Sequence, residues 1–82
     1  ARERAHLVDP ADEALFQALR QRRLELARDQ GVPPYVIFHD ATLVEIARDK
    51  PRDLWALARL PGVGKAKLDR YGPAFLDVIA GR

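Results

Sequence analysis

Proline and glycine divide this chain into short segments, and that punctuation limits its fold more than any other feature. Pro10, Gly31, Pro33-Pro34, Pro51, Pro61-Gly62, Gly64 and Gly72-Pro73 leave no interval longer than the one between Pro10 and Gly31. Proline lacks an amide donor and pushes its predecessor out of helical geometry, whereas glycine accepts the left-handed backbone that ends a helix. The intervals between them carry apolar residues at three- and four-residue spacing, the period of an amphipathic helix. Asp9-Pro10 starts the first helix, with Asp12 and Glu13 at the positive end of its dipole. Leu15, Phe16, Leu19, Leu26 and Ala27 form its stripe, while Arg20, Arg22, Arg23 and Arg28 fill the gaps to about Gln30, where Gly31 caps it.

The segment Val32 to Phe38 follows as an apolar connector. No second strand-like segment exists for it to pair with, so a buried or half-buried loop is expected. Asp40 then caps a helix through Leu43, Ile46 and Ala47 to about Asp49, closed by Pro51. Asp53 caps a third, with Leu54, Leu57, Ala58 and Leu60 facing inward until Pro61-Gly62. A fourth starts near Gly64 with Leu68 and Tyr71 inward. Gly72 caps it, and Pro73 stands at N1 of a fifth carrying Phe75, Leu76, Val78 and Ile79. The expected class is all-α, a compact bundle of about five helices over residues 9–82. Residues 1–8 have charges but no apolar stripe and read as a linker or disordered lead-in. An 82-residue chain has room for one core, and a start at Ala1 suggests a piece of a larger protein.

Composition removes several kinds of chemistry. The chain has no Cys, Ser or Asn, and Thr42 is its only threonine, so serine and cysteine nucleophiles, disulfides and thiolate metal sites are excluded. Its two histidines, His6 and His39, are far apart and lack carboxylates at ligand spacing, so no metal site is expected. No catalytic residues are expected either, because a bundle this small has little volume for a pocket of converging acid and base groups. The short apolar runs and the absence of a secretory layout point to a cytoplasmic protein without a membrane segment.

The sharpest local feature is Leu60-Pro61-Gly62-Val63-Gly64-Lys65, a glycine turn between helices. Gly62 and Gly64 can let helix-start amides face an anion, with Lys65, Lys67 and Arg70 adding charge where a phosphodiester would lie. The alternative is a plain sharp corner with solvated lysines, Lys67 laying its stem over the stripe. A Walker-type loop does not fit, for want of four residues and a preceding strand. Residues 48–70 carry seven basic and three acidic side chains, whereas residues 1–41 carry six and seven. Asp9, Asp12 and Glu13 thus form an acidic corner, explained by capping or by docking to a basic neighbour. Tyr35, behind two prolines, is placed either to stack on an unpaired base or to lie against the bundle. Trp55 sits one residue off its helix stripe, at the edge of the buried face or exposed beside Arg52 and Arg59, where it suits base stacking or a protein contact.

Val32-Pro33-Pro34-Tyr35-Val36-Ile37-Phe38-His39-Asp40-Ala41-Thr42-Leu43, followed by Leu60-Pro61-Gly62-Val63-Gly64, Lys67 and Tyr71-Gly72, resembles the HRDC (helicase and RNase D C-terminal) domain, most closely that of bacterial RecQ-family DNA helicases. The resemblance runs from about Leu15 to Ile79. It implies a five-helix bundle that acts as an auxiliary, non-catalytic nucleic-acid-binding module of an ATP-driven helicase in DNA recombination and repair. ATP and Mg belong to that parent, and none of its cofactors to this domain. Tyr35 and nearby basic side chains would belong to the single-strand DNA surface, with Lys65, Lys67, Arg70, Trp55, Gly62 and Gly64 as further candidates. The implied partners are single-stranded or branched DNA and other domains of the same helicase, met by a monomer associated with the bacterial nucleoid. The alternatives are a regulatory domain docking through the acidic corner and the C-terminal domain of an RNase D-like exonuclease.

Overall fold

A computed structural model describes residues 9–81; the expected lead-in over residues 1–8 lies outside them. The described chain contains four α-helices and one 3₁₀ turn, with no strand among the described residues. Helix α1 spans Pro10–Gln30, the 3₁₀ turn Pro34–Val36, α2 Asp40–Asp49, α3 Leu54–Ala58 and α4 Lys65–Ile79. Helix α1 packs on α2, α4 and the 3₁₀ turn, and α3 packs on α4.

The ends of α1 form as its local chemistry requires. Asp9 Oδ1 accepts from the Ala11 amide at 2.8 Å, Pro10 opens the helix, and Gly31 closes it at φ 67°. Asp53 likewise accepts from the Ala56 amide at 2.8 Å and caps α3. Helix α2 starts one residue earlier than its acidic signature suggests. His39 is the N-cap, without a side-chain bond to the helix, and Asp40 is the first helical residue.

Two expectations about the later helices change. Helix α3 has five residues, of which only Leu57 is fully buried; Leu54 and Ala58 are exposed and Leu60 is half-buried. The fifth helix does not exist as a separate element, because α4 runs unbroken through Gly72-Pro73. Gly72 is not a cap. A Cβ there would lie 2.6 Å from Leu54 Cδ2, so the missing side chain leaves room for the tip of Leu54 from α3. Pro73 is exposed within the helix, and Tyr71 and Phe75 on either side of it are buried, so both halves of α4 are anchored in the core.

The core is assembled around the connector. Ile37 and Phe38 are fully buried with Phe16, Leu19, Leu43, Ile46, Leu57 and Phe75, whereas Tyr35 and Val36 face outward. The Phe38 ring meets Phe75 edge-on at 5.2 Å and Tyr71 at 6.3 Å. Its backbone is held from the other side by Arg23, which periodicity assigns to the polar gaps of α1 but which is 8% exposed. Arg23 Nη1 donates to the Phe38 carbonyl at 2.8 Å, and Nη2 lies 2.7 Å from Asp40 Oδ1. One planar guanidinium thereby joins α1, the connector and the first residue of α2. Farther along, Lys50 at φ 53° caps α2 and pairs with Asp12 of α1.

This arrangement predicts unequal effects from the two partners of that bridge. Arg23→Ala strands a buried carbonyl and should destabilise the domain by about 2 kcal/mol, lowering Tm by about 10 °C. Asp40 is half in water, so Asp40→Asn should cost less than about 1 kcal/mol. Thermal unfolding followed by circular dichroism checks both; equal losses would mean that the surface half of the bridge carries the stability.

Candidate nucleic-acid interface

The two prolines and the Arg23 bridge fix which way the connector turns its side chains. Ile37 donates its amide to the Pro34 carbonyl and Val36 to that of Pro33, each at 3.0 Å, so the backbone closes on itself. With Ile37 and Phe38 buried, Tyr35 is left 58% exposed. Its ring stacks on His39, with centroids 5.8 Å apart and planes 27° from parallel. His39 is exposed and belongs to this surface. Only the fold, which turns the peptide through Ile37 and Phe38, brings the two rings together.

Cations reach the same connector from α4. Lys67 Nζ lies 5.9 Å from the centre of the Phe38 ring, so its stem covers the aromatic core. One turn later, the Arg70 guanidinium lies 5.7 Å from the Tyr71 ring. The Tyr71 hydroxyl donates to Gln30 Oε1 at 2.9 Å, which ties this turn of α4 to the end of α1 where the connector departs. Neither Lys67 nor Arg70 has a carboxylate partner among the described residues, so both charges are available to a phosphate. Lys65 is further out, with a side chain 88% exposed and paired to Asp69 at 3.2 Å. An exposed i,i+4 pair of this kind is worth little and yields readily to another anion.

The glycine corner divides into two residues with different duties. Gly62 has φ 84°, and a Cβ there would overlap the Thr42 hydroxyl of α2. It is a structural requirement of the joint. Gly64 has an ordinary extended backbone, open space where a side chain would go, and no side-chain cap for α4. The amides of the first α4 turn thus stand at an uncapped end beside Lys65 and Lys67.

Trp55 stands apart. It is 73% exposed, with the Arg59 guanidinium 5.1 Å from its ring centre, and none of its ring contacts reaches the Tyr35 cluster. The acidic corner is largely committed to the fold: Asp9 caps α1, Asp12 pairs with Lys50, and Glu13 accepts from Gln17 at 2.8 Å. Among the described residues no group of three His, Asp or Glu side chains could hold a metal, and no helix is long and apolar enough to cross a membrane.

Fold and exposed chemistry define a compact helical module built on a clamped connector, with rings and unpaired cations at its surface. Residues 12–79 match the HRDC domain, and the chain belongs to that family. It is 45% identical over 71 residues to the ATP-dependent DNA helicase UvrD2 of Mycobacterium tuberculosis, covering 87% of this chain and 10% of that protein. To the ATP-dependent DNA helicase RecQ of Bacillus subtilis it is 43% identical over 68 residues, 83% of this chain and 12% of that one. The solved structure of D. radiodurans RecQ HRDC domain 3 superposes with a TM-score of 0.83 at 38% identity, covering 85% of this chain and 92% of that one. The chain therefore spans about a tenth of the length of the helicases it matches.

The two glycines should respond differently to substitution. Gly62→Ala combines a disfavoured backbone with a clash and should destabilise by about 2 to 4 kcal/mol, whereas Gly64→Ser should change stability by no more than about 0.5 kcal/mol. Urea denaturation measures both, and comparable losses would contradict the division of labour.

Proposed function

We propose that this domain is an auxiliary, non-catalytic nucleic-acid-binding module of an ATP-dependent DNA helicase, and that it holds single-stranded or branched DNA while the parent unwinds it. The parent would be of the RecQ or UvrD2 kind named among the relatives, using ATP and Mg outside this domain in recombination and repair. The observation that carries this reading is Tyr35, a rigidly presented ring open to solvent, stacked on His39 and set on the connector that Lys67 covers. A base stacks on the Tyr35 and His39 surface, while its phosphates face Lys67, Arg70 and the open start of α4, with Lys65 contributing as it releases Asp69. Other domains of the parent are secondary partners. The module acts as a monomer and, in a bacterial cell, works in the cytoplasm on nucleoid DNA.

A stacked base and a few phosphate contacts give weak binding, with Kd of about 1 to 100 μM at low salt. Fluorescence anisotropy of a labelled single strand tests this. Affinity should fall with a log–log salt slope of about −1.4 to −2.8, the release expected from two to four phosphate contacts. Tyr35→Ala should weaken binding about 5- to 100-fold without lowering Tm, because the ring is mostly outside the core. Gly64→Asp would supply the missing cap yet set a carboxylate where a phosphate should sit. It should leave stability equal or slightly raised and reduce affinity at least about threefold. Anisotropy unchanged up to hundreds of micromolar, or an indifferent Tyr35→Ala, would reject the reading.

A further inference from the structure

The ring that the Tyr35 cluster leaves out has a setting of its own. Trp55 is the only tryptophan of the chain and, among the described residues, the most exposed large apolar side chain, carried on a helix of five residues. With Arg59 over one face and 73% of the residue exposed, the opposite face of the indole is open to solvent.

Charge around α3 selects an anionic occupant. Arg52 precedes the N-cap and Arg59 is the C-cap residue, so a cation stands at each end of the helix. Neither has a carboxylate partner among the described residues. The acid between them, Asp53, is engaged by the Ala56 amide, and the nearby Lys50 is paired with Asp12. An open ring with a cation before and after its helix suits an unpaired base and the phosphates attached to it.

From this geometry we infer that Trp55, flanked by Arg52 and Arg59, is a second single-strand stacking point, separate from the Tyr35 cluster and engaged by the same strand. The inference rests on the DNA-binding reading and extends it from one stacking point to two. Because the longest dimension of the domain is 31 Å, a thymidine oligonucleotide of about 15 nucleotides, about 50 Å long even at stacked spacing, can reach both points.

Trp55 reports on itself through its emission. Titrating the 82-residue chain with that oligonucleotide should quench the fluorescence with the midpoint seen by anisotropy, whereas a blunt duplex, which offers no unpaired base, should leave it unchanged. Trp55→Ala should weaken single-strand binding about 5- to 100-fold, Trp55→Tyr should recover most of the loss, and Arg59→Gln should weaken it at least about threefold. The ring is largely outside the core, so these variants should keep the parent Tm. If the strand binds, Tyr35→Ala weakens it, and neither Trp55 emission nor Trp55→Ala affects the result, the inference is wrong while the Tyr35 reading survives; an acidic protein surface would then be the better occupant. Loss of affinity in Trp55→Ala with an indifferent Tyr35→Ala would reject the Tyr35 cluster and, with it, the inference of one strand joining two points. No binding at low salt would overturn both.

Discussion

A buried guanidinium organises this domain. Arg23 reaches from the middle of α1 to the Phe38 carbonyl and to Asp40, so one side chain sets the distance between α1 and the connector and the point where α2 begins. Arginine suits the position because its planar fork can face two acceptors at once, which a lysine ammonium on a flexible stem does less well. The Phe38 ring on the opposite side of that backbone fills the space between Tyr71 and Phe75. Polar and aromatic contacts therefore grip the same residue from two directions, and the orientation of its neighbours follows. Tyr35 faces water because Ile37 and Phe38 cannot.

Most of the architecture is legible in the sequence because its signals are local. Caps at Asp9, Gly31 and Asp53 lie where short-range hydrogen bonding puts them, and the stripes of α1 and α2 follow from periodicity. What was not legible depends on distant partners. Gly72-Pro73 has the form of a helix end followed by a helix start, yet the glycine serves to admit Leu54 and the proline faces solvent within one continuous helix. Arg23 has the form of a surface charge, and only the return of the connector beneath it supplies the carbonyl that justifies its burial. Leu54 and Ala58 follow the inward stripe, but a helix of five residues has too little surface to bury more than Leu57.

The same distinction separates the surface residues. The alternatives for Tyr35 and for Trp55 could be framed from the prolines and from helix phase, whereas the exposure of Tyr35, its pairing with His39 and the seat of Lys67 over Phe38 need the fold. Gly62 and Gly64 share one motif but differ physically, one wedged against Thr42 and the other open. Membership of the HRDC family and likeness to domains of ATP-dependent helicases agree with a module whose stability and surface chemistry use separate residues. Arg23 and Gly62 maintain the frame; Tyr35, His39, Lys67 and Arg70 are free to meet a ligand.

Heteronuclear NMR of the chain during titration with a thymidine oligonucleotide tests the central claim most directly, because it reports on every amide at once. Shifts should concentrate on Tyr35 to His39 and on the first two turns of α4, with a second group on α3 around Trp55 and the interior of α1 little changed. Shifts confined to the acidic start of α1, or spread evenly with none at Tyr35, would contradict the claim that the clamped connector presents the binding surface.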